Sequence, residues 1–67
     1  MVINSEVNRF YREFGSLMVE LENGTIWCFV DEPKINLSGK KVKIFKEGVD
    51  FVLTIEDQSS SYVVTEF

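Results

Sequence analysis

SLMVELENGTIWCFV, residues 16–30, decides the fold class. Leu17, Val19 and Leu21 alternate with Met18, Glu20 and Glu22, the period of two that marks a half-buried strand. Asn23-Gly24 follows, a strong short hairpin signal because a type I′ turn needs positive φ at both central residues. Thr25–Val30 then returns as a second strand. Its two faces, Ile26/Cys28/Val30 and Thr25/Trp27/Phe29, are both apolar. That strand is expected either to be covered on both sides or to expose an aromatic patch.

Toward the C-terminus the same period recurs. Residues 31–39 hold Pro33, Asn36 and Ser38-Gly39 and read as a loop, with Leu37 as a possible anchor. In 40–46, Val42 and Ile44 point one way and Lys41, Lys43 and Phe45 the other. Lys46-Glu47-Gly48 makes a turn, Phe51, Leu53 and Ile55 form the inward face of a strand at 50–56, and a β-branched strand at 61–66 follows the polar turn 57–60. Toward the N-terminus the period changes. Val7, Phe10, Tyr11 and Phe14 recur at i, i+3, i+4 and i+7, which predicts a short helix over 5–14, capped by Asn4 or Ser5 and ended by Gly15. The expected fold is mainly β: one N-terminal helix and five strands at about 16–22, 25–31, 40–46, 50–56 and 61–66. They would form a small, strongly bent antiparallel sheet or barrel, since closure hides edge strands.

Sixty-seven residues make one domain, 1–67, and a chain of this size buries only about 60% of its unfolded surface. Aromatic residues at 13% offset this, because each ring buries about 150–250 Å². Small domains of this kind often oligomerise or recruit a partner. A single cysteine excludes an internal disulfide, and no apolar run approaches the roughly 20 residues of a membrane span. A reducing interior such as the cytoplasm is the natural reading. The net charge of −4 disfavours a dedicated nucleic-acid binder and an anionic membrane surface as partner.

Two resemblances speak to the fold. A helix followed by a bent five-stranded sheet looks like the Sm-like fold, and LMVELENGTIW at 17–27 is similar to that family's first hairpin. The Asp and Asn of that family's RNA-binding loop have no clear counterpart here. The spacing of Asn23-Gly24 and Trp27 ahead of Gly39, Val42 and Ile44 is similar to small bacterial barrels of the Src-homology type. Fold alone does not carry function.

The chemistry available to this chain is narrow. It has no histidine, the commonest general base and metal ligand. Ser59-Ser60-Ser61 lacks a base partner and reads as a polar turn, and Cys28 lies mid-strand among apolar neighbours as a core thiol. Glu20 and Glu22 share a strand face, where solvated side chains are the plainer account than a cation site. No phosphate loop, zinc spacing or calcium loop is present. An enzyme, a metal and a cofactor are therefore not expected. The expected function is a small protein-interaction module, either an accessory or inhibitory subunit or a self-assembling protein. Trp27, Phe29, Phe45 and Met18 are the candidate anchors on the face opposite the interior, with an acidic rim steering a basic partner. The alternative is single-stranded RNA or DNA binding through Lys40, Lys41, Lys43 and Lys46, with aromatic rings as stacking platforms.

Overall fold

The computed structural model describes residues 2–67. Alternating apolar residues build six strands: β1 (Val2–Glu13), β2 (Ser16–Leu21), β3 (Ile26–Phe29), β4 (Lys41–Glu47), β5 (Asp50–Ile55) and β6 (Ser61–Glu66). They pair antiparallel throughout in the order β1-β2-β3-β6-β5-β4, and β4 returns to β1 to close a barrel. Closure leaves no strand edge open to pair with another chain. Val19, Leu21, Trp27, Ile44, Leu53 and Val64 fill the centre, and Leu37 from the 31–40 loop plugs it as the sequence suggests.

Strands β2 to β6 lie where the alternation predicts them, to within two residues at either end. The N-terminal helix does not form. Residues 5–14 belong instead to β1 and its turn, so the barrel has six strands rather than five, and no helix occurs among the described residues. A β-bulge explains the misreading. Val7 pairs with Leu21 and Arg9 with Glu20, so Asn8 is an extra residue in the ladder. An inserted residue reverses the inward–outward parity of everything after it. Ile3 and Val7 face the core before the bulge and Phe10 faces it afterwards, which turns a period of two into a spacing of three that imitates a helix.

The bulge also turns the barrel's corner. Residues 2–6 of β1 pair with β4, and residues 7–13 pair with β2. At the switch, Glu22 N donates to Glu6 O (3.2 Å) and to Ser5 Oγ (3.1 Å), while Val7 N donates to Lys40 O (2.9 Å). A single twelve-residue strand thus serves two neighbours in succession.

Two hairpin turns flank β2, and neither is what its sequence suggests. Phe14-Gly15 joins β1 to β2 with φ of 56° and 76°, both positive as a two-residue type I′ turn requires. The β2–β3 loop has three residues, Glu22-Asn23-Gly24. Gly24 N donates to Leu21 O (3.0 Å), Leu21 N donates to Thr25 O (2.9 Å), and Gly24 alone has positive φ, at 88°. That is a type I turn closed by a glycine bulge, not the two-residue Asn-Gly turn.

Candidate functional site

The extra loop residue decides which side of β3 faces inward. A two-residue turn would set Trp27 opposite Glu20, on the outer wall. The three-residue loop sets it opposite Val19 instead, on the inner wall. One step of register flips every side chain of a strand. Trp27 and Phe29 are therefore core residues, which corrects their placement as surface anchors. Trp27 packs edge-on against Phe51 at 5.2 Å, and Phe29 does the same against Phe10 and Tyr62 at 6.1 and 6.0 Å. The indole N–H of Trp27 donates to Thr25 Oγ1 (3.0 Å), and Thr25 Oγ1 donates to Asn23 Oδ1 (2.6 Å). The β2–β3 loop is thereby fastened to the largest core side chain.

Met18 does lie on the outer wall, in a row with Tyr11, Cys28 and Thr65, but only 1% of it is exposed. It offers no anchor either. Phe45 is half-buried in a second outward row with Val2, Val52 and Val63, which runs across β1, β4, β5 and β6. Of the four candidate anchors, Phe45 alone retains a usable surface.

The four lysines do not share a face. Lys41 and Lys43 point outward with Phe45, Lys41 opposite Glu6 and Lys43 between Asn4 and Thr54. Lys46 pairs with Phe51 on the opposite parity, and Lys40 sits outside β4 with its Nζ 3.7 Å from Asp57. A surface groove of about 600 Å³ lies beside Lys41 and Lys43, but Glu6, Glu22 and Glu56 line it as well. Such mixed charge does not make a phosphate track.

The structure brings forward two residues that sequence reasoning passed over. Phe14 was absorbed into the apolar stripe of the expected helix, and Phe67 lies beyond the last expected strand. Phe14 is 81% exposed at the tip of the β1–β2 hairpin, and Phe67 is 66% exposed. Their rings stack at 6.2 Å with 19° between planes. A bulky side chain at positive φ is a genuine conformational outlier, and such outliers cluster where a site over-determines the backbone. No local sequence signal marks this turn, because the bulge at Asn8 disguises the period of two in β1 and Phe14 falls on the resulting helix-like spacing.

The turn is held by its surroundings. Arg12 donates to Glu32 through its two terminal guanidinium nitrogens, at 2.9 and 3.1 Å, and also to Gly15 O (3.2 Å). These hydrogen bonds hold the Glu32 carboxyl below the usual carboxylate range and raise the Arg12 guanidinium further. Arg9 lies 3.8 Å from Glu20 and 4.3 Å over the Tyr11 ring. Glu13 and Glu66, the chain neighbours of the two exposed rings, make no ion pair among the described residues.

No described helix is long and apolar enough to cross a membrane, which says nothing of strands. Compared with family models, with curated proteins and with solved structures, the chain matches none.

Proposed function

We propose that this chain is a small, non-catalytic protein-interaction module, an accessory subunit that docks through the exposed Phe14–Phe67 pair. One observation carries the reading. Phe14 occupies a turn position that favours Asn, Asp or Gly, yet its ring is four-fifths exposed. A stacked, solvent-facing aromatic pair is the kind of group that supplies binding energy at an interface. Exposed Val2 and half-buried Phe45 and Val63, in one outward row, offer a partner further apolar surface.

Affinity capture with the tagged chain tests this, run with nuclease and beside the Phe14→Asn variant. A stoichiometric protein held by the wild type and lost by the variant supports docking through the pair. The same protein retained equally by both would refute it.

Nucleic-acid binding is the second reading, favoured by the shared outward face of Lys41, Lys43 and Phe45. It requires affinity for single-stranded RNA or DNA that falls steeply with salt. Glu6 opposite Lys41 and the net charge of −4 weigh against it.

A further inference from the structure

The charge of this protein is not spread evenly over the barrel. Along residues 7–32 and 61–67 the cations are Arg9 and Arg12 alone, against the carboxylates Glu13, Glu20, Glu22, Asp31, Glu32 and Glu66. The remaining residues balance, so the whole net charge of −4 falls on the segments that form most of β1 together with β2, β3 and β6. Both cations on that side are already engaged, Arg12 by Glu32 and Arg9 by Glu20 and Tyr11. Glu13 and Glu66 keep their charge uncompensated beside the two exposed rings in sequence.

We infer that the Phe14–Phe67 pair with Glu13 and Glu66 is a docking site for a cationic segment of a partner protein, an arginine or lysine flanked by apolar residues. The inference rests on the interaction-module reading and adds the chemistry of the partner. The rings stack nearly parallel, which leaves their outer faces open to a guanidinium or ammonium group, and a cation over an aromatic face is attracted by its quadrupole. The net negative charge of this half of the barrel, Glu13 and Glu66 included, adds Coulomb attraction and steers the approach. A second copy of this chain would bring the same acidic wall against itself, and a polyanion or anionic membrane would be repelled. Charge thus selects the occupant. Arg9 over Tyr11 shows the same cation-on-ring contact within the chain.

The test is a titration of the isotope-labelled full chain, followed by amide chemical shifts. One probe is a capped peptide with two arginines around a leucine, and the other is the same peptide with glutamates in place of the arginines. The arginine peptide is expected to bind at least about tenfold more tightly, with shifts centred on residues 13–15 and 66–67. Phe14→Asn should abolish those shifts, and the Glu13→Gln/Glu66→Gln variant should weaken binding severalfold without unfolding the barrel. Equal response to both peptides, no response to either, or shifts centred elsewhere would overturn the cationic-partner inference. Self-association of the wild type that disappears in Phe14→Asn would overturn it too, in favour of a second copy. If the peptides fail while partner capture still depends on Phe14, only the partner's chemistry is wrong. If capture ignores Phe14, the docking surface itself falls.

Discussion

The two hairpin turns on either side of β2 are built on opposite terms. At Glu22-Asn23-Gly24 every component favours folding. Gly24 takes the one positive φ, Asn23 Oδ1 accepts from Thr25 N (3.0 Å) and Oγ1 (2.6 Å), and Thr25 in turn satisfies the buried indole of Trp27. At Phe14-Gly15 the first residue holds positive φ with a large side chain that gains little burial. A left-handed backbone costs an ordinary residue roughly 1–2 kcal/mol relative to a right-handed one. One turn serves the fold, and the other keeps a costly residue whose ring faces outward. Natural proteins break local rules mainly at functional sites, and the contrast therefore supports the docking site proposed at Phe14.

The contrast is broken most severely through Trp27. Trp27→Ala empties the core that the β2–β3 loop is tied to and should cost about 3–5 kcal/mol, read as a large fall in denaturant midpoint. Thr25→Val keeps the shape but strands the indole N–H, so the expected loss is about 1–3 kcal/mol by the same measurement. Asn23→Ala removes the side chain that organises the loop and should cost about 1 kcal/mol. If all three variants unfold at the wild-type midpoint, the loop is not the structural turn described here.

A pH titration sharpens the other side of the contrast. The Arg12 hydrogen bonds depress the folded-state pKa of Glu32 below its unfolded value. The pair therefore contributes its stabilisation above the ordinary carboxylate range, and that contribution is lost as pH falls through the depressed value. Both side chains are half-exposed, so the effect is small and screened by salt. Glu32→Gln should flatten this part of the acid profile at low salt, while an unchanged profile would show that Arg12 gains nothing from Glu32.

The period-two stretches after residue 16 were legible because each strand presents one apolar face to a single core. What misled sequence reading was geometry set by single residues. Asn8 is an ordinary polar residue, and nothing local marks it as the bulge that makes Val7 and Phe10 face the same way. Asn23-Gly24 has the composition of a two-residue turn, yet the loop takes Glu22 as well, and the register slips by one. That slip sends Trp27 and Phe29 inward and removes them as anchors. Phe14 was hidden for a different reason. Turn chemistry argues against Phe at positive φ, so the position it occupies becomes visible only once the strands on either side are paired.

The most direct measurement is the denaturant midpoint of Phe14→Asn against the wild type. Asn tolerates the left-handed region, and the relief outweighs an exposed ring stack valued at the low end of about 0.5–1.5 kcal/mol. The expected result is a higher midpoint, a gain of about 0.5–1 kcal/mol, corresponding to a rise in Tm of roughly 2–8 °C for a domain of this size. A lower midpoint would show that Phe14 is kept to hold the barrel together, and would contradict its assignment to a binding surface.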